Sequence, residues 1–399
     1  MADDYCEISE DDIKAARQIE EALENESLTS AAGKIQEYLK KISDVQLNIA
    51  ITGESGSGKS TFINVLRGLG DEEEFSAPTG VVETTQKATP YQHPKHQNVK
   101  LWDLPGIGTT NFKPETYLQQ VGFDCYDFFI IVSSDRFRVN DVNLAKKIQE
   151  MKKSFYFVRS KIDSNIDAEK KRKKNFNQDE TLQNIRQNCV EGLRDHGQGF
   201  PQVFLISSFE LPLYDFPNLV ETMEKELPDH KRRVLLLSIP NMSLKINQRK
   251  KENLQANIWR SAFVSACVAV IPIPGLSFSV DITILIREIR MYYQAFGLDN
   301  ESLKSLADRT NVPVEELKAI LKSPLNKEIS QDMVIKMLTK TTGATLMLVE
   351  YLLSTIPVFG STAACGISYG TTYYMLNNCL NELAEDAQNV LMKALKVDE

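Results

Sequence analysis

The chain has 399 residues, 42% of them hydrophobic and 25% charged, a length for two or three domains that excludes wholesale disorder and collagen-like repeats. Lys and Arg number 46 against 54 Asp and Glu, and the net charge of −8 argues against a protein built to coat nucleic acid through its phosphates. The 6 cysteines form no CxxC pair and read as reduced thiols of a cytoplasmic protein. Met1-Ala2-Asp3-Asp4 has neither the character of a secretory signal nor the glycine that myristoylation needs, and Val397-Asp398-Glu399 does not suit prenylation.

Ser9-Glu10-Asp11-Asp12 has capping-box spacing, and Ile13, Ala16, Ile19 and Leu23, then Ile35, Leu39 and Ile42, keep helical periodicity; two short helices are predicted within residues 8–43. The apolar run Val45 to Ile51 leads into glycines as a buried strand would. Strands at Val99–Trp102, Tyr126–Ser133, Phe155–Val158 and Val203–Ile206 then alternate with helices at Ala145–Lys152 and near 179–194. That alternation predicts an α/β domain with a doubly wound, mostly parallel sheet. After Pro228 no strand pattern recurs, and residues 248–296 and 302–321 read as helical. The expected division is a helical segment at 1–44, a nucleotide-binding domain at 45–230 and an all-α domain at 231–399.

Ala262 to Val280 and Tyr351 to Asn381 contain no charged residue. Pro272, Pro274 and Gly275 interrupt the first block, and Pro357, Gly360, Gly366 and Gly370 the second, so core hairpins are expected in place of spanning helices. Any membrane contact is then expected to be peripheral and made through the helical domain. Lys170-Lys-Arg-Lys-Lys174 reads as a solvated loop. His93 and His96 flank a proline with no Cys or acidic cluster beside them, which does not suit a metal pair.

Gly53-Glu54-Ser55-Gly56-Ser57-Gly58-Lys59-Ser60 fits the pattern GxxxxGK[ST] between the strand ending at Ile51 and the apolar-periodic Phe62 to Leu66. Glycines there let successive backbone N–H groups turn toward phosphate oxygens, and the following helix start, through Thr61, adds positive potential. Lys59 would bridge the β and γ phosphates, and Ser60 would place its hydroxyl on Mg²⁺. Asp103-Leu104-Pro105-Gly106 follows a strand, where a nucleotide hydrolase needs a carboxylate for a metal-bound water and a glycine N–H for the γ-phosphate. The loop Ala77 to Thr85 offers threonine hydroxyls to the metal; Thr79 is favoured, with Thr84 and Thr85 as competitors. In Ser160-Lys161-Ile162-Asp163 the carboxylate of Asp163 can accept from guanine's ring N–H and exocyclic amine, whereas adenine presents the wrong pattern. The stem of Lys161 would lie along the base, and Ser207-Ser208 is a further base-contacting loop. GTP or GDP with Mg²⁺ is the ligand set these residues imply.

With those four elements in order, the chain resembles the immunity-related (interferon-inducible) GTPase family. The likeness runs from about residue 10 to 396 and includes Asn64-Val-Leu-Arg-Gly68, Trp102-Asp-Leu-Pro-Gly-Ile-Gly-Thr-Thr-Asn-Phe112, Tyr126-Asp-Phe-Phe-Ile-Ile131, Phe155-Tyr-Phe-Val-Arg159 and Tyr214-Asp-Phe-Pro217. Gly366 to Lys396, including Asn381-Glu-Leu-Ala-Glu-Asp-Ala387, is more similar to the cinema branch of that family. The resemblance implies a P-loop GTPase domain set between N- and C-terminal helical parts that pack together. It also implies nucleotide-dependent self-association as a homodimer or oligomer, and work on intracellular membranes in cell-autonomous defence. Lys59 places the chain among members with lysine at that P-loop position.

Ile107 stands where Ras-like small GTPases carry the glutamine that orients the attacking water, so hydrolysis needs another group or is slow. By resemblance to the family's dimer, Glu83 and Arg136 are candidates for activation across a paired face, with Arg138 standing where other members carry lysine. Lys59, Thr79, Glu83 and Arg136 are therefore the expected catalytic set. The alternative is a switch or scaffold that binds GTP or GDP with negligible turnover.

Overall fold

A computed structural model of the chain describes residues 10–26, 28–80, 87–107, 114–135, 139–194, 202–269, 276–326, 329–337 and 363–396. Six strands form one sheet: β1 (Leu47–Gly53), β2 (Thr89–Gln92), β3 (Val99–Asp103), β4 (Phe128–Ser133), β5 (Ser154–Arg159) and β6 (Val203–Leu205), in the order β2-β3-β1-β4-β5-β6. Only β2 runs antiparallel. The central strand β4, Phe-Phe-Ile-Ile-Val-Ser, is buried at every residue, as a strand covered on both faces must be. Helices Lys59–Leu66, Pro114–Val121, Val139–Glu150, Ile162–Arg172, Gln178–Arg194, Phe216–Glu226 and Asp229–Ser238 accompany the sheet. On one face Phe129, Ile131, Phe157 and Leu205 pack with Leu118, Leu144, Ile148, Cys189 and Leu193. The register sets Ile51 opposite Asp103 and Gly53 opposite Val132, so the carboxyl ends of β1, β3 and β4 lie side by side. In a doubly wound sheet that edge is where ligands bind.

The chain divides into two compact units. The sheet unit spans Val45–Ile246 and takes in Lys304–Asn311; the other unit is made of Met1–Asp44, Asn247–Leu303 and Val312–Glu399. The expected limit at 230 is thus displaced. Helix Asp229–Ser238 buries Val234, Leu235 and Leu236 and packs against β1 and β3, and Lys231 pairs with Asp127, which ties this helix to the sheet. The second unit is helical, and its N-terminal helices Glu10–Asn25 and Leu28–Ser43 share a core with helices Leu244–Ala269 and Ala363–Leu395 through Ile19, Ile35, Tyr38, Phe263, Cys267 and Tyr369. The P-loop α/β domain and the helical domain built from both ends of the chain are both present.

Several elements differ from the expectation. Strand β2, Thr-Pro-Tyr-Gln, is short and contains Pro90, tolerated because β2 is an edge strand that needs no hydrogen bond from that residue outward. The helix expected at 302–321 is two helices, Asn300–Thr310 and Val314–Ala319, separated where Asn311 adopts φ +53 before Pro313. Lys170, Lys171 and Arg172 form the exposed last turn of a helix and not a loop, where cations complement the helix dipole. His93 is buried, and its Nδ1 accepts the N–H groups of Lys95 and His96; burial, with His96 beside it, pushes its pKa down to about 2, so it stays neutral. Among the described residues no helix is long and apolar enough to cross a membrane, and no group of His, Cys, Asp and Glu side chains is placed to hold a metal. The Pro/Gly turns of the uncharged blocks at 271–275 and 356–361 lie outside the described residues.

Candidate nucleotide-binding site

The phosphate loop begins at Gly53, whose φ is +140°; a Cβ built there would stand 2.0 Å from the carbonyl oxygen of Val132. Gly56 and Gly58 take φ +75° and +93°. These angles favour glycine and turn the loop back over the end of β1. Helix Lys59–Leu66 starts with Gly58 as its cap and without a side-chain capping bond, so its first N–H groups face the loop. Lys59 is buried, and its ammonium donates to the carbonyl of Glu54 at 2.8 Å. Ser57 is buried with its hydroxyl unpartnered among the described residues. A buried hydroxyl without a partner is costly unless a ligand supplies one, and a phosphate oxygen is a fitting acceptor. Ser55 and Gly56 are exposed at the tip, while Glu54 and Thr61 are half-buried.

The hydroxyl of Ser60 donates to Asp103 Oδ2 at 2.9 Å. Two hard oxygen donors from the P-loop helix and the end of β3 suit Mg²⁺, which takes one or two protein oxygens and otherwise phosphates and water. Beyond Asp103 the chain hangs from β1. Leu104 donates its N–H to Ile51 O at 3.0 Å and Ile107 to Gly53 O at 3.3 Å, leaving Gly106 between them, half-buried. Ile107 is fully buried, and Asn140 Nδ2 donates to its carbonyl at 2.8 Å. The hydroxyl of Tyr117 donates to Pro105 O at 2.9 Å and lies 2.8 Å from Thr52 Oγ1.

On the other side of the P-loop, Lys161 adopts φ +55° and donates from Nζ to Gly56 O at 2.8 Å. Ser160 Oγ donates to Ser57 O at 2.6 Å, so this segment is stapled to the phosphate loop at two points. Asp163 follows in the first turn of helix Ile162–Arg172, half-exposed, and accepts from Ser164 Oγ at 3.4 Å. Ser207 is buried, and its hydroxyl accepts the N–H groups of Phe209 and Glu210 at 3.2 and 3.1 Å. That side chain shapes its own loop. The carbonyl of Ser208 accepts from Arg309 Nη1 at 3.3 Å, and Arg309 Nη2 donates to Leu69 O at 3.2 Å. Burial lowers the Arg309 pKa, opposed by Asp71 and Glu73.

Lys59, Ser60, Asp103, Ser160 and Lys161 are thus gathered around Gly53–Gly58. Thr79 is exposed and makes no hydrogen bond among the described residues, and Glu83, Thr84, Thr85, Arg136 and Arg138 lie outside them. Tyr117 and Arg309 were not singled out by the motifs. Their hydrogen bonds run to backbone carbonyls, which leave no trace in a sequence pattern.

The family model for interferon-inducible GTPase (IIGP) matches residues 12–394. Interferon-inducible GTPase 5 of Rattus norvegicus is 42% identical over 379 residues, which is 95% of this chain and 82% of that protein. Interferon-gamma-inducible GTPase 10 of Mus musculus is 41% identical over 378 residues, 94% of this chain and 88% of that one. Among solved structures, Toc33 from Arabidopsis thaliana aligns over 44% of this chain and 76% of its own at 13% identity with a TM-score of 0.33, too slight a likeness to carry an argument.

Proposed function

The chain belongs to the interferon-inducible GTPase family and is a GTPase, and from that premise we propose that it uses Mg²⁺, that its GTP-bound form self-associates and that this association governs turnover. The action proposed is on intracellular membranes in cell-autonomous defence, with contact made peripherally by the helical unit. The observation that supports the nucleotide and metal part of the reading is the 2.9 Å contact of Ser60 with Asp103 beside the Gly53–Gly58 loop.

In this reading the N–H groups of residues 54–61 and the Lys59 ammonium hold the phosphates, with the Ser57 hydroxyl directed at a phosphate oxygen. Ser60 and Asp103 would hold Mg²⁺, and Thr79 would join them when GTP is bound. The metal would supply neutralisation of the phosphate charge. Gly106 donates its N–H to the γ-phosphate. Asp163 accepts from guanine, Lys161 lies along the base, and the loop of Ser207 and Ser208 closes it. Glu83 and Arg136 act across the paired face.

Ile107 favours a second reading, because a buried apolar side chain cannot orient water: turnover is slow and the bound nucleotide serves as a switch for partners. Single-turnover hydrolysis of bound GTP, followed with increasing total protein, separates the two. A rate that climbs with concentration and is flattened by Arg136→Ala supports activation by a second copy. A concentration-independent rate refutes it. The guanine assignment predicts that Asp163→Ala loses its preference for GDP over ADP, and retention of that preference removes Asp163 from the site.

A further inference from the structure

The hydrogen-bonded chain Thr52–Tyr117–Pro105 serves none of the phosphate, metal or base contacts described above. Thr52 is fully buried and immediately precedes Gly53 in β1, and Tyr117 projects from helix Pro114–Val121 with 8% of its surface exposed. Because the single hydroxyl hydrogen of Tyr117 goes to Pro105 O, the hydrogen shared with Thr52 comes from Thr52. The direction is therefore Thr52 to Tyr117 to Pro105. Burial raises the pKa of the phenol, outweighing the opposing hydrogen bond from Thr52, so it remains a donor throughout the accessible pH range.

The acceptor decides what this achieves. The carbonyl of Pro105 and the N–H of Gly106 belong to one planar trans peptide and point in opposite directions. Fixing the oxygen fixes the hydrogen. Flanking bonds from Leu104 to Ile51 O and from Ile107 to Gly53 O hold the chain on either side, and the plane between them is free to rotate because Gly106 has no Cβ to resist it. Among the described residues the Tyr117 hydroxyl is the group that holds that plane.

We propose that Tyr117 is a positioning residue for the γ-phosphate: oriented by Thr52, its hydroxyl holds the Pro105–Gly106 peptide with the Gly106 N–H turned toward the terminal phosphate. GDP makes no use of this arrangement and GTP does, so Tyr117 serves discrimination between the two nucleotides. The inference rests on the assignment of Gly106 to the γ-phosphate made above.

Tyr117→Phe keeps the ring and removes the hydroxyl. Its affinity for GDP is expected to stay within about twofold of wild type, while affinity for a non-hydrolysable GTP analogue falls about tenfold, the worth of one hydrogen bond to a charged group. Thr52→Val is expected to shift the same ratio by less, and Thr52→Ser to restore it. Amide-resolved hydrogen exchange at Gly106 separates this inference from its premise. If wild-type Gly106 exchanges equally with GDP and with the analogue, the γ-phosphate assignment fails, and the inference with it. If the analogue protects Gly106 in wild type and equally in Tyr117→Phe, with an unchanged affinity ratio, the assignment stands and the role of Tyr117 is overturned. Equal weakening of both nucleotides with a lowered melting temperature also overturns it, because a purely structural brace does that.

Discussion

Replacing Gly53 with alanine tests whether the phosphate loop is built as the geometry requires. The new Cβ would stand 2.0 Å from Val132 O, 3.0 Å from its carbonyl carbon and 3.2 Å from its nitrogen, all of them backbone atoms of β4. No side-chain rotation relieves such a contact. The strands must part by about 1 Å at the point where Gly53 pairs with Val132, which forfeits about 1 kcal/mol per weakened ladder bond. A φ of +140° costs a further ~1–3 kcal/mol for any residue with a Cβ. Together these give a loss of about 3–5 kcal/mol, a large share of the roughly 5–15 kcal/mol that holds a domain folded. Urea unfolding without nucleotide should show it as a lower midpoint. Titration with GDP and Mg²⁺ should show affinity reduced by about a hundredfold or more, equivalent to about 2.7 kcal/mol. Gly56→Ala is the control: its Cβ meets nothing within 4 Å, and only the cost of a left-handed residue, about 1–2 kcal/mol, is expected. If Gly53→Ala unfolds at the wild-type midpoint and binds GDP equally well, the close approach of β1 to β4 does not shape the site.

Ser60→Ala removes the contact with Asp103 and, on the reading proposed, one metal ligand, so GDP release should become insensitive to EDTA; release that still accelerates on chelation would exclude Ser60 from the metal site. Arg309→Ala should speed GDP dissociation about tenfold, because the loops at Leu69 and Ser208 lose a shared donor. Arg309→Lys should recover only part of this, since an ammonium cannot span two carbonyls as a guanidinium does, and full recovery would show that charge alone matters. In the helical unit burial raises the pKa of Asp281, while Ser265 and Ser368 donate to its carboxylate. The stabilisation from protonating it is complete below its unfolded pKa and is lost as pH rises through the higher folded value. Asp281→Asn should therefore melt above wild type at pH 7, with the gap closing as pH falls toward 4; a gap independent of pH would refute the assignment.

The parts of the fold that could be read beforehand are those in which one segment carries its own signal. β1 places Leu47, Ile49, Ala50 and Ile51 ahead of a closing glycine, and β4 runs Phe128 to Val132 without a polar residue, so both declare themselves as central strands. β2 does not, because four residues at a sheet edge need neither apolar faces nor strong strand formers, and Thr-Pro-Tyr-Gln has only the support of its pairing with β3. The limit of the sheet unit was misplaced for a related reason. Helix Asp229–Ser238 has the composition of any amphipathic helix, and only its packing on β1 and β3 assigns it to the sheet. Within the site, Ser60 and Asp103 were legible because each sits in a motif at a strand end. Tyr117 and Arg309 were not, because they act on the carbonyls of Pro105, Leu69 and Ser208, and every residue has a carbonyl.

The same geometry bears on why a second copy should matter for catalysis. On the reading proposed here Lys59, Ser60 and Asp103 are occupied with the phosphates and the metal, which leaves the orientation of the attacking water to another group. Acceleration needs a group that engages the attacking water or the developing charge. Ile107 cannot be that group, since its side chain is fully buried and Asn140 holds its carbonyl. On the reading proposed here the group comes from the paired face, where an arginine directed at the γ-phosphate is worth about 10³-fold or more in comparable phosphoryl transfers. The lifetime of the GTP state is then set by encounter with another GTP-bound copy and not by an internal clock. Such a protein stays loaded while dispersed and discharges where it accumulates.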